Sequence, residues 1–143
     1  MLTKIQTQER AKRKNNRVKM RGLLTPPGTP PRQYWPGALT IVFPCQTDKV
    51  LGLVRGGGQT LGTRMPNHGI PLQLIKPLEV PILGPSANFH HAPTPYKFED
   101  LDKEFLKLVD LVIPGECEVG LVSTVLDCSE EPWKILRQGA IRL

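Results

Sequence analysis

Ile82-Leu83-Gly84-Pro85-Ser86-Ala87-Asn88 is an apolar strand signal that stops abruptly in small and polar residues. Val80, Ile82 and Leu83 read as a short buried strand, and Gly84-Pro85 ends it, because glycine and proline interrupt a ladder. Ser86 and Asn88 then stand at the strand's carboxyl end, separated only by the small Ala87. In open α/β sheets, ligands bind outside the carboxyl ends of strands. A serine hydroxyl both donates and accepts, and an asparagine amide does both through separate atoms. Such a pair suits an amino acid or a nucleotide, whose donors and acceptors must both be matched. An isolated Ser-Ala-Asn equally describes a turn, since turns favour serine and asparagine. The flanking sequence decides between the two.

Toward the carboxyl end, Phe89-His90-His91-Ala92-Pro93-Thr94-Pro95 reads as a flexible polar loop. Its adjacent histidines lack a cysteine or carboxylate at ligand spacing, so they do not suggest a metal site. Phe98, Leu101, Phe105 and Leu108 recur at helical spacing, with acidic residues early and Lys107 late, which predicts an amphipathic helix on the sheet. Leu111-Val112-Ile113 reads as a short strand closed by Pro114-Gly115. Leu121 to Asp127 is a strand with the hydroxyl pair Ser123-Thr124 inside an apolar run, and buried hydroxyls require partners. Trp133 to Arg137 is the last strand, and Gln138-Gly139-Ala140-Ile141 turns away from it.

Toward the amino end, Tyr34-Trp35-Pro36-Gly37 is a rigid turn into the β-rich run Ala38 to Phe43, closed by Pro44. Val50 to Val54 is expected to be the next strand, and Gly56-Gly57-Gly58 a hairpin-like connection to a strand over Leu61 to Met65. The triple glycine lacks the Lys-Ser/Thr and helix start of a phosphate loop, so it is a turn. Arg64, emerging where that strand ends, has the forked donors to grip a carboxylate or a phosphate, although most single arginines form surface ion pairs. His68 is expected to cap or pack beside a short helix around Leu72 to Leu78.

The chain has 143 residues, 39% of them hydrophobic and 22% charged, which suits one soluble domain. No apolar run approaches bilayer length and no signal peptide is visible, so a cytoplasmic protein without membrane contact is expected. Cys45, Cys117 and Cys128 are scattered and odd in number, as reduced core cysteines would be. The net charge of +6 is unevenly spread. Residues 1–33 hold nine Lys or Arg against Glu9 alone, whereas residues 34–143 hold ten basic and twelve acidic side chains. The sequence therefore divides into a basic, Pro-rich leader over 1–33 and a mildly acidic body over 34–143. Residues 1–23 allow a cationic helix without a broad apolar face, and Leu24 to Pro31 predicts an extended linker. The leader is either an arm for tRNA or double-stranded RNA, as clustered cations on phosphates would allow, or a solvated disordered tail. A transit peptide is a third reading.

Five stretches of the body together resemble the threonylcarbamoyl-AMP synthase family, the YrdC-like domain of tRNA modification. They are Trp35-Pro36-Gly37-Ala38-Leu39-Thr40, Arg64-Met65-Pro66-Asn67-His68, Pro85-Ser86-Ala87-Asn88, Ser123-Thr124-Val125-Leu126-Asp127 and Ile135-Leu136-Arg137-Gln138-Gly139. The resemblance implies an α/β fold: a twisted mixed β-sheet with flanking helices and a concave, largely positive cavity. It implies condensation of L-threonine, bicarbonate and ATP into threonylcarbamoyl-AMP, with Mg2+ accompanying ATP and pyrophosphate leaving. The product feeds N6-threonylcarbamoylation of adenosine 37 in tRNA, together with partner proteins of the transfer step. Carried over by motif, Arg64, Ser86 and Ser123 hold threonine, and Thr60, Asn88 and Arg137 contact the nucleotide. A family threonine near the nucleotide corresponds to Tyr96, or to Thr94 if the loop shifts. No residue is an obvious nucleophile or base, so catalysis would rest on positioning and charge neutralisation.

The front of the chain departs from the family. A Pro-Thr-Asp/Glu-Thr-x-Tyr-Gly-Leu-like stretch and a Lys-x-Arg phosphate grip are both missing, and Lys12-Arg13-Lys14 is not that grip. The resemblance thus implies a partial YrdC-like domain lacking the family's N-terminal strands, and without the Lys-x-Arg grip ATP and L-threonine are expected to bind weakly or not at all. Two alternatives to an enzyme follow: a non-catalytic RNA-binding protein using the basic leader, or an inactive fragment. For a ligand site, Arg64, Ser86, Asn88 and Ser123 are expected to converge, since polar interruptions of apolar strands are costly unless they meet one another, water or a ligand.

Overall fold

The computed structural model describes residues 4–6, 32–78, 80–113, 115 and 120–143. The expected linker, RNA arm and transit-peptide readings of residues 7–31 lie outside the described residues, as does Cys117. Two compact units are present, one of residues 1–84 with 123–143, the other of residues 85–122.

The strand that organises the first unit is β2, Leu39–Pro44. Its β-branched and aromatic residues favour a pleated, buried surface, and Leu39, Thr40, Ile41, Val42 and Phe43 are all buried. Burial on both faces marks a central strand. The other strands are β1 (Lys4–Gln6), β3 (Thr60–Arg64), β4 (Ile82–Leu83), β5 (Thr124–Asp127) and β6 (Lys134–Arg137). They form one mixed six-stranded sheet in the order β4-β1-β3-β2-β5-β6. β2 runs antiparallel to β3 and parallel to β5, β1 runs parallel to β3, and β4 and β6 join antiparallel at the edges.

Alternation assigns the two faces. Leu39, Ile41 and Phe43 join Leu61, Leu126, Cys45, Val50 and Cys128 in the core, with Tyr34, Trp35, Val54, Trp133 and Ile141 packed around them. Truncating the fully buried Phe43 to alanine would cost roughly 3–5 kcal/mol. Thr40 and Val42 point to the other face, and their register partners Arg64, Gly62, Val125 and Asp127 share it. Burial pushes the Cys128 thiol up to about 11, with the Asp127 carboxylate adding to the effect. It also raises Cys45, against the opposing charge of Arg55.

Several expectations need correction. Lys4–Gln6 is a strand paired to β3 and β4, not part of an unpaired leader or a helix, because those neighbours offer ladder partners on both sides. Residues 50–54 form turns instead of a strand. Leu51 O accepts from the amides of Val54 and Arg55, and the Arg55 guanidinium folds back onto the carbonyls of Val50, Gly57 and Gly58. Gly57, at φ 77°, sits in the left-handed region that this turn requires. β4 is short and poorly covered: Val80 and Leu83 are exposed, as an edge strand with a two-residue ladder allows.

A helix α1 (Gly69–Leu78) follows β3 and buries Ile75 against the unit. His68 caps it as expected: its Nδ1 accepts from the amide of Ile70 at 3.3 Å. In the second unit, the expected helix over Phe98 to Leu108 is broken into a 3-10 turn at Phe98–Asp100 and a helix α2 at Lys103–Leu106. The break has a local cause. Asp102 is extended and its carboxylate accepts from the amides of Glu104 and Phe105 at 2.7 and 3.1 Å, starting a new helix. Leu111 to Ile113 is exposed and joins no ladder, so the predicted strand does not form.

Candidate ligand face of the sheet

The site is built where the turn Tyr34–Gly37 enters β2. The amide of Gly37 donates to Met65 O at 2.8 Å, and Arg64 Nε donates to Gly37 O at 2.8 Å. The turn thereby clasps the end of β3 and fixes the plane of the Arg64 guanidinium. Two residues on, Thr40 Oγ1 lies 2.9 Å from Ser123 Oγ, both side chains buried. Arg137 then closes the group. Its Nε and Nη2 donate to Ser123 O at 3.0 and 2.9 Å, and Nη2 also donates to Ser123 Oγ at 3.1 Å.

Register explains why these residues meet. Arg64 is paired with Thr40, Thr40 with Val125, and Val125 with Arg137. One row across the sheet therefore runs Arg64, Thr40, Val125, Arg137, all on the face opposite the core cluster. The two arginine backbones are three strand spacings apart, about 14 Å. Ser123 and its hydroxyl sit between them, next to Thr40. A guanidinium at each end of the row can meet an anionic ligand, and the buried hydroxyl pair between them ties β2 to the start of β5.

Of the residues expected from sequence, Arg64, Ser123 and Arg137 are brought together here. Thr60 shares their face, but at the opposite end of β3, four residues and about 13 Å from Arg64. The hydroxyl pair of β5 is satisfied in two different ways. Ser123 meets Thr40 and Arg137, whereas Thr124 Oγ1 accepts from the amides of Gly139 and Ile141, both at 3.0 Å.

Ser86, Asn88, Thr94 and Tyr96 belong to the second unit. Ser86 is exposed. Asn88 Nδ2 donates to Ala92 O at 2.6 Å and Phe89 O at 3.3 Å, closing a tight loop. Its Oδ1 is buried with no hydrogen-bond partner among the described residues. Asp100 organises the next turn, its Oδ2 accepting from the amides of Tyr96 and Lys97 at 3.1 and 3.3 Å. Among the described residues, no group of three or more His, Cys, Asp or Glu is placed to hold a metal ion. Among the same residues, no helix is long and apolar enough to cross a membrane.

Two contributors escaped sequence reading. Thr40 carries the same signal as Ser123, a hydroxyl inside an apolar strand, and that signal was sufficient to find it. Gly37 was legible only as a turn residue; its carbonyl contact with Arg64 spans 27 positions.

The Sua5/YciO/YrdC family, described as telomere recombination, matches residues 29–139. The threonylcarbamoyl-AMP synthase of Bacillus subtilis is 40% identical over 114 residues, which cover 77% of this chain and 32% of that protein. The threonylcarbamoyl-AMP synthase of Pyrococcus abyssi is 38% identical over 113 residues, covering 78% of this chain and 33% of that protein. The crystal structure of P. abyssi Sua5 complexed with L-threonine superposes with a TM-score of 0.78 at 30% identity, covering 96% of this chain and 40% of that one. The chain thus spans about a third of the length of these curated relatives.

Proposed function

The chain belongs to the Sua5/YciO/YrdC family, and from that membership we propose that it serves the synthesis of threonylcarbamoyl-AMP from L-threonine, bicarbonate and ATP. The product would supply N6-threonylcarbamoylation of adenosine 37 in tRNA. The observation that carries this reading is the row of Arg64, Thr40 with Ser123, and Arg137 on one sheet face. The relatives that match are threonylcarbamoyl-AMP synthases, and one related structure holds L-threonine.

In this reading Arg64, its Nε held by Gly37, offers its guanidinium to the threonine carboxylate. Ser123 supplies an orienting hydroxyl. Arg137 takes the nucleotide end, with Thr60 as a further nucleotide contact. The buried Oδ1 of Asn88 supports a role for that side chain as an acceptor. Mg2+ enters as part of the substrate MgATP, because magnesium is commonly held by substrate phosphates and water with few protein ligands. The chemical step brings a carbamate oxygen of N-carboxythreonine to the α-phosphorus of ATP, and pyrophosphate leaves. The chain's part is to align these atoms and neutralise charge.

The test is product formation. The chain is incubated with MgATP, L-threonine and isotope-labelled bicarbonate, and threonylcarbamoyl-AMP and pyrophosphate are quantified. Formation of both, dependent on L-threonine and lost in Arg64→Ala, supports the reading. Pyrophosphate release indifferent to threonine, or retained in Arg64→Ala, contradicts it.

A further inference from the structure

We infer that Thr40 is a positioning residue for L-threonine recognition, acting through the hydroxyl of Ser123; this rests on the proposed function above. Thr40 is fully buried in the central strand, so its hydroxyl is removed from solvent and needs an internal partner. The partner is Ser123 Oγ at 2.9 Å, across 83 positions of sequence. A serine hydroxyl has one proton and two acceptor sites. Arg137 Nη2 occupies one acceptor site of Ser123, at 3.1 Å. Thr40 bonds the same oxygen and so acts on the direction of its proton. Either it donates to the second acceptor site and leaves the serine proton directed by that bond, or it takes the serine proton itself. In both cases the rotor of Ser123 is fixed from behind by a residue that belongs to the strand carrying Arg64's register partner.

The same strand entry also holds the other half of the threonine end. Gly37 O anchors Arg64 Nε, and Ala38 O accepts from the amide of Thr124 at 3.0 Å, locking β5 beside β2. Residues 37–40 thus set the relative placement of the carboxylate-binding guanidinium and the orienting hydroxyl. Arg137, in contrast, shares only one of its contacts with the Ser123 hydroxyl. Its Nε and Nη2 are tied to the backbone carbonyl of Ser123, which a change at Thr40 leaves in place. The inference therefore separates the two substrates: loss of the Thr40 hydroxyl loosens the threonine end and spares the nucleotide end.

The experiment compares Thr40→Val, which keeps shape and removes the hydroxyl, with Thr40→Ser, which keeps the hydroxyl. Binding of L-threonine and of MgATP to the full chain is followed separately by NMR titration, and folding of each variant by the dispersion of its amide spectrum. Thr40→Val should weaken L-threonine about fivefold to tenfold, the value of about one hydrogen bond, with MgATP unchanged within about twofold. Thr40→Ser should restore L-threonine binding. Equal loss of both ligands, or failure of Thr40→Ser to rescue, assigns Thr40 a packing role and overturns the inference. Wild-type binding of L-threonine undiminished in Thr40→Val overturns the inference alone. Absence of L-threonine binding in the wild type overturns the proposed function as well.

Discussion

Gly37→Ala isolates the clasp that aims Arg64. A Cβ at Gly37 would lie 2.5 Å from the carbonyl oxygen of Tyr34 and 3.5 Å from its carbonyl carbon. Both atoms are backbone, so no side-chain rotation relieves the clash, and the turn itself must move. An oxygen needs roughly 0.7–0.9 Å more room than that, a shift comparable to the overpacking known to cost about 1–3 kcal/mol. The movement also stretches two 2.8 Å hydrogen bonds, Gly37 N to Met65 O and Arg64 Nε to Gly37 O, at about 1 kcal/mol each. A total loss of about 3–5 kcal/mol follows, and a melting temperature lower by about 10–17 °C. Gly58→Ala is the control, since its Cβ would meet Arg55 O at an ordinary 3.6 Å and should change stability by under about 0.5 kcal/mol. Both are read by thermal and urea unfolding. Equal midpoints for the two variants would refute the clasp and the argument built on it.

Thr124→Val should leave the amides of Gly139 and Ile141 without their acceptor, destabilising by about 2–4 kcal/mol, and hydrogen exchange should accelerate at those two amides first. The raised Cys128 thiol gives a pH signature. An unfolded thiol ionises near 9.0 and the folded one only at about 11, so this stabilisation is complete below the lower value and is lost as pH climbs to the upper one. Unfolding midpoints should fall more across that window in wild type than in Cys128→Ala, and parallel curves would count against it. Asp102→Ala removes the acceptor for two α2 amides and should cost about 0.5–2 kcal/mol, visible as faster exchange at Glu104 and Phe105. Glu104→Gln breaks the exposed pair with Lys107 and should shift stability by no more than about 0.5 kcal/mol.

How much of this was legible in sequence depended on the range of the interactions. β2, β3, β5 and β6 were readable because each concentrates β-branched or apolar residues between glycine or proline stops. The run at residues 50–54 carries the same composition, yet Arg55 folds back onto its carbonyls and Leu51 and Leu53 stay exposed. Composition cannot distinguish a strand from a turn stapled by one long side chain. The helix expected over Phe98 to Leu108 failed for a comparable reason: Asp102 starts a new cap inside an apparent period. Lys4–Gln6 becomes a strand only because β3 and β4 offer it a slot, a tertiary fact with no local signal. At the site, Arg64 and Ser123 were found as polar interruptions of strands and Arg137 through the family resemblance, but their common row rests on register, which pairs positions far apart in sequence.

The central proposal is that Arg64 and Ser123, in the row that Arg137 closes, hold L-threonine. An amide-resolved NMR titration of the isotope-labelled full chain with L-threonine tests it most directly, because it localises even weak binding. The account predicts saturable shifts concentrated at the amides of Arg64, Ser123 and their strand neighbours, smaller for D-threonine and absent in Arg64→Ala. Shifts that never saturate, that scatter over the surface, or that persist unchanged in Arg64→Ala would contradict it.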